Sequence, residues 1–415
     1  MPIGEGAVLR AAFPRATPAR AARSSTGSQA RGNMELDRKL FATLVVVLTG
    51  FGLLMVHSAS FTSRPGNAEQ AYLSRHLVFI ALGATAAAAA AMTPARFWRA
   101  LAPWLFVGSV LLLVLVLIPG IGATVNGARR WFRLGTLSFQ PSELAKLALP
   151  LFMAASLEKR QPRLRHWWHG TLPLVLPVAV VVPMVLVEPD LGTALFLACG
   201  AAIMLFVGGW PLRNFAIFTS LAAPAVLATV LQRSYQVERI EGFLRTLADW
   251  NQAPYHMKQS LVTLGAGGLW GTGLGRGYQK LSFLPEANTD FVFAVIGEEL
   301  GLPGTICVLL LWLGVYATGL RLILRLPRGS FEYMAAFTLL TQLMVQVAIN
   351  VAVVTAVVPP KGIPHPLLSY GGSNLVVSLA ATGIVLGLSR PQRAAELTAL
   401  HPALAASAGG VPEAG

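Results

Sequence analysis

Asp290 occupies the position in this chain best suited to acid–base chemistry. It ends the segment Leu284-Pro285-Glu286-Ala287-Asn288-Thr289-Asp290-Phe291, which leads after a few apolar residues into Gly297-Glu298-Glu299-Leu300-Gly301. A carboxylate where an apolar helix begins is either a cap favoured by the helix dipole or, facing a ligand, a general base for a hydroxyl. Spacing alone leaves both open. Glu298 and Glu299 fall within the apolar run, where acids need partners, and are expected to anchor contacts between helices.

Cations that would complement an anionic ligand lie in other loops. Arg129, Arg130 and Arg133 surround Trp131, and guanidinium groups beside an aromatic ring suit a phosphate or sugar phosphate. Arg239, Arg245, Lys258, Arg276 and Lys280 occupy a longer polar segment, where they either bind or simply solvate. Lys361-Gly362-Ile363-Pro364-His365-Pro366 precedes Ser369-Tyr370-Gly371-Gly372-Ser373. Its adjacent glycines permit close backbone approach, so that Ser369 and its neighbours either line a polar cavity or form a plain helix entry.

Three further patterns have mainly structural readings. Glu143 and Lys146, three apart, share a helix face and either pair structurally or line an aqueous cavity. Asp190, in the turn Glu188-Pro189-Asp190, is expected to cap the next helix. Gly265 to Gly277 contains seven glycines without the order of a phosphate-binding or dinucleotide loop, which implies a flexible or re-entrant segment. Cys199 and Cys307 lie in apolar runs, so no disulfide framework or zinc site is on offer.

The elements that position these residues follow from composition. Hydrophobic residues make up 54% of the chain and charged residues 12%, with a mean hydropathy of +0.61, more apolar surface than one soluble core can bury. Stretches of about 20 apolar residues suffice to cross a bilayer, and these lack the alternation of barrel strands. The expected fold is all-α and polytopic, with about ten transmembrane helices near residues 40–59, 76–93, 101–119, 141–157, 171–187, 191–208, 214–231, 291–320, 333–358 and 368–389. Counted alternately, the short loops put Arg96, Arg99, Lys159, Arg160, Arg163, Arg165, Arg213, Arg321, Arg325 and Arg328 on one side with both tails, which the positive-inside rule makes cytoplasmic. The opposite side receives a large loop, 232–290. Residues 1–39 read as a disordered basic tail, with Met34 an alternative start, and 391–415 as a second cytoplasmic tail. Because the net charge of +14 follows this retention pattern, nucleic acid is not an expected partner.

Together these segments resemble the shape, elongation, division and sporulation family of multispanning proteins. The resemblance rests on Val56-His57-Ser58-Ala59-Ser60, Arg130-Trp131, Gln140-Pro141-Ser142-Glu143-Leu144-Ala145-Lys146, Glu188-Pro189-Asp190-Leu191-Gly192-Thr193 and the blocks 284–301 and 361–373. It spans residues 40–390 and implies a peptidoglycan glycosyltransferase that polymerises lipid II at the outer face of the bacterial cytoplasmic membrane. The family's essential acid falls on Asp290, its paired acid and lysine on Glu143 and Lys146, and its loop tryptophan on Trp131. Tyr278-Gln279-Lys280-Leu281, Pro285-Glu286-Ala287 and Lys361-Gly362 are more like the division branch than the elongation branch, while His365 and Asn374 depart from the usual residues.

The implied reaction is a single inverting displacement at an anomeric carbon, with undecaprenyl pyrophosphate leaving. Asp290 would serve as base, and Arg129, Arg130, Arg239 and Lys361 would steady the leaving group, helped by a divalent cation, Mg2+ or Mn2+, the one cofactor considered. Expected partners are lipid II, a class B penicillin-binding transpeptidase, other division proteins and membrane lipid. A lipid II flippase, a polymerase of the elongation branch and a non-catalytic scaffold are the alternatives.

Overall fold

The computed structural model describes residues 19–60, 67–125, 127–135, 137–281 and 283–390. Ten helices match the ten apolar runs: α1 (Ala19–Ala59), α2 (Asn67–Met92), α3 (Ala95–Leu117), α4 (Pro141–Arg160), α5 (Leu172–Val187), α6 (Leu191–Val207), α7 (Leu212–Leu231), α10 (Val292–Ile323), α11 (Phe331–Val354) and α12 (Gly372–Leu388). Among the described residues, seven helices are long and apolar enough to cross a membrane, and α6 and α12 are shorter apolar helices. The chain is thus a polytopic membrane protein.

Two expectations need correction. The segment 120–140 is not plain loop: β1 (Ala123–Val125), β2 (Ala128–Leu134) and β3 (Leu137–Phe139) form a small antiparallel sheet in that order. The basic tail is helical from Ala19 onward, because its alanines and arginines are good helix formers. Its last residues are anchored: buried Asp37 accepts from Arg325 at 2.5 Å and faces Arg321 at 3.6 Å, and Arg38 donates to the Leu386 carbonyl at 2.8 Å. The remainder of that tail, 1–18, and the tail 391–415 lie outside the described residues.

Packing is tightest where glycines remove side chains. α12 lies along α2, and a Cβ at Gly383 would come within 2.6 Å of Ala87 Cα, while one at Gly387 would come within 2.6 Å of the Ala90 carbonyl oxygen. Small residues are what allow such approach between membrane helices.

The large loop also has structure, carrying α8 (Ser234–Ala248) and α9 (Tyr255–Gly267). Beyond α9 the glycine-rich segment folds onto a break in α10. Gly301 is non-helical, with φ 65°, and Pro303 follows. Proline has no N–H for the Glu299 carbonyl four residues earlier, so that carbonyl accepts instead from Gly273 N at 2.9 Å, and the neighbouring Glu298 carbonyl accepts from Thr272 N at 2.9 Å. The glycines serve this close approach: a Cβ at Gly267 would come within 2.8 Å of Glu298 Cα.

Candidate active site

The loops on the large-loop side of the bundle converge on the start of α10. Tyr370 N donates to the Asn288 carbonyl at 2.8 Å, which ties the loop before α12 to the segment before α10. Gly362 stands so close to Asp290 that a Cβ there would meet Oδ2 at 2.8 Å. From α8, Arg239 stacks over the Tyr235 ring at 4.3 Å and donates to the Pro360 carbonyl at 3.3 Å. Lys361 extends toward α6, where a Cβ on Gly192 would lie 3.4 Å from its Nζ. The structure therefore gathers Arg239 and Asp290 from opposite ends of the large loop and Lys361 from the loop before α12.

Asp290 does not cap α10. Phe291 is the N-cap residue and provides no side-chain bond, and among the described residues no hydrogen bond reaches the Asp290 carboxylate. One edge of the residue remains partly exposed. Burial, with Glu286 adding to it, pushes its carboxyl up to about 7 against the opposing pull of Arg239. Burial likewise brings the Lys361 ammonium down to about 8, with Asp190 acting upward and Arg239 downward. The site thus holds an acid that is largely ionised only above neutral pH and a cation that is easily discharged.

The turn after α5 forms one wall. Asp190 caps α6 as expected, accepting from Thr193 N at 3.0 Å and Thr193 Oγ1 at 2.9 Å. Arg130 donates through Nε to the Glu188 carbonyl at 2.8 Å and through Nη2 to the Pro189 carbonyl at 2.7 Å, and its Nη1 lies 3.7 Å from Asp190 Oδ2. Arg130 is therefore engaged in fixing the turn. Glu188 is fully buried, with neither carboxyl oxygen hydrogen bonded. Burial, then Asp190, raises it to about 8 despite Arg130.

The cationic set expected around Trp131 divides at a β-bulge: Ala123 pairs with Trp131 and Thr124 with Arg129, which leaves Arg130 as the extra residue on β2, and it turns to the loop after α5. Arg129 donates to the Leu117 carbonyl at 3.0 Å and to Thr124 Oγ1 at 3.5 Å. Ser369 is also reassigned: it is 2% exposed, and its hydroxyl accepts from His365 N at 2.8 Å. It closes a turn and does not line the crevice.

Glu143 and Lys146 pair at 2.7 Å in the bundle interior, and Asn374 donates to the other Glu143 oxygen at 3.0 Å. A cavity of about 20 Å³ beside them is bordered by Phe196, Gln342 and Gln346, room for about one water molecule. Asn374, a departure from the family pattern, thus links α12 to α4. Glu299 meets Lys280 at 2.5 Å and Ser58 on α1 at 2.6 Å, which realises the expected contact between helices. Glu298 accepts instead from Tyr278 N at 2.7 Å and Gln279 N at 3.0 Å, and so holds a loop.

Sequence reasoning missed Asn350, which donates to the Asp290 and Ile363 carbonyls, each at 2.8 Å. The available signal was the series Thr338, Gln342, Gln346, Asn350, polar at every fourth position of an apolar run. Among the described residues, no three His, Cys, Asp or Glu side chains cluster to hold a metal. Mg2+, however, commonly binds through one or two carboxylates and substrate phosphates.

Known proteins resemble this chain in sequence and fold. The chain is 38% identical over 354 residues to a probable peptidoglycan glycosyltransferase FtsW of Geobacter sp. (strain M18), covering 85% of this chain and 96% of that protein. A solved structure described as a peptidoglycan synthase complex coordinating polymerization and crosslinking superposes with a TM-score of 0.69 at 33% identity, over 84% of this chain and 96% of that one. The rod shape determining protein RodA of Thermus thermophilus gives 0.62 at 31% identity, over 84% and 95%. Residues 38–394 match the FtsW, RodA and SpoVE family described as "Cell cycle protein", and the chain belongs to that family.

Proposed function

We propose that this protein is a peptidoglycan glycosyltransferase that polymerises lipid II at the outer face of the bacterial cytoplasmic membrane, for septal wall synthesis in division. The observation that carries this reading is the Asp290 carboxylate, without a hydrogen-bond partner among the described residues and set against Gly362 beside Lys361 and Arg239. A base with a value near neutrality can accept the proton of an attacking sugar hydroxyl, a contribution of about 10² to 10⁴ in rate. Arg239 and Lys361 oppose the charge that develops on the departing pyrophosphate, and fixed cations in a poorly hydrated crevice stabilise such charge strongly. Inversion follows from one displacement with no covalent enzyme intermediate. If Mg2+ or Mn2+ takes part, Asp290 and Glu286 are the nearby carboxylates, with substrate phosphates as the remaining ligands, and it would supply further neutralisation of the pyrophosphate.

The names of the relatives support the division role, and the matching synthase complex supports a class B penicillin-binding transpeptidase as partner. The arginine-rich short loops support a cytoplasmic placement for both termini and an outward-facing crevice. The buried Glu143–Lys146 pair is the observation that would favour a lipid II flippase, but its cavity of about 20 Å³ offers no path for a sugar headgroup.

The test is polymerisation of purified lipid II by the protein with its transpeptidase. We expect glycan chains from wild type and none from Asp290→Asn, with both folded; chains from the variant would sink the assignment of Asp290.

A further inference from the structure

The inner face of α11 carries a polar ladder, Thr338, Gln342, Gln346 and Asn350, all buried. Residues four apart on a helix lie one above another, so the ladder rises along α11 to its end nearest Asp290. There its two upper members bind backbone. Gln346 Nε2 donates to the Pro364 carbonyl at 2.9 Å, and Asn350 Nδ2 donates to the Asp290 and Ile363 carbonyls.

From this geometry we infer that Asn350 is a positioning residue for glycosyl transfer: its amide nitrogen joins the segment bearing Asp290 to the loop bearing Lys361 and holds the Asp290 carboxylate against Gly362. The inference rests on the proposed role of Asp290 and extends it to a residue that touches no reacting atom. Asn350 is 1% exposed and its Oδ1 has no hydrogen-bond partner. Leaving a buried acceptor unmatched costs free energy, and the side chain is therefore held by what its nitrogen does. The tie is also specific in what it joins, since the two carbonyls lie 73 residues apart in sequence (363 − 290) and belong to segments that otherwise meet through Gly362 and the Tyr370–Asn288 bond.

Displacing a base by about 1 Å can cost roughly 10²-fold in rate.

The test uses the full-length chain with its transpeptidase and measures initial rates of lipid II polymerisation against substrate concentration. Asn350→Leu, which removes the donor at similar volume, should lower kcat by roughly 10²-fold with KM nearly unchanged. Asn350→Gln, which retains an amide, should recover part of that kcat. Wild-type kcat in Asn350→Leu, or a loss that falls on KM with kcat kept, overturns the positioning role. If Asn350→Leu does not fold, Asn350→Gln carries the same two readouts. Polymerisation by Asp290→Asn in the parallel assay would identify a failure of the underlying reading instead.

Discussion

Two acidic centres lie on or beside the first turns of α10 and have been treated oppositely by the fold. Glu299 is sealed from solvent and surrounded by Ser58, Lys280 and Gly275 N, the last at 2.9 Å. Asp290, a few residues earlier, has no hydrogen bond to its carboxylate among the described residues, and has a glycine where a side chain would otherwise press on it. A carboxylate that already accepts from three donors has little capacity left for a substrate, whereas one left unmatched and partly exposed retains it. The contrast indicates that pairing, more than the presence of a charge, separates framework from chemistry here.

Exchanging what each centre lacks would test that contrast. Asp290→Asn should abolish polymerisation while leaving the thermal midpoint near that of wild type. Lys280→Met should do the reverse in kind: removing one partner of a buried pair typically costs about 3–5 kcal/mol, read as a lower unfolding midpoint in detergent. A stable Lys280→Met protein would mean that Glu299 does not depend on its lysine. The rate of wild type should rise through about pH 7 as Asp290 ionises and fall above about pH 8 as Lys361 discharges, and a rate flat from pH 6 to 9 would remove both groups from the rate-limiting step.

The smallest effect is expected at Glu188. Its folded value lies above its unfolded one, so the folded state binds the extra proton in the interval between them, and wild-type stability falls as pH rises through that interval. Glu188→Gln has no such proton to lose. The midpoint of the variant relative to wild type should therefore increase from pH 5 to pH 8, and a constant difference would show that Glu188 is ionised in place.

The helices of the bundle were legible because a bilayer imposes a length and an apolar composition on the segments that cross it. Asp290 was legible as a candidate from its position between a polar loop and an apolar helix, although spacing could not separate a cap from a base. The sheet escaped notice because strands of three to seven residues leave too little alternation to recognise. The bulge at Arg130 was hidden with it, so the different partners of Arg129 and Arg130 could not be read from their adjacency. Ser369 was read as a cavity hydroxyl because nothing local indicates that His365 N would occupy it. The anchoring of Asp37 and Arg38 was hidden for a similar reason, as their partners lie at the end of α10 and on α12.

The Tyr370–Asn288 bond has a consequence for how the protein is made. N-terminal parts of a chain are synthesised first, so α10 can be placed before the ribosome has reached residue 370. The crevice, however, needs Lys361, Gly362 and the loop secured by α12, whose Asn374 reaches back to Glu143 on α4. A nascent chain that already contains its acid therefore lacks the opposite wall, and competence for the reaction comes late in biosynthesis, when the final helix closes against α2.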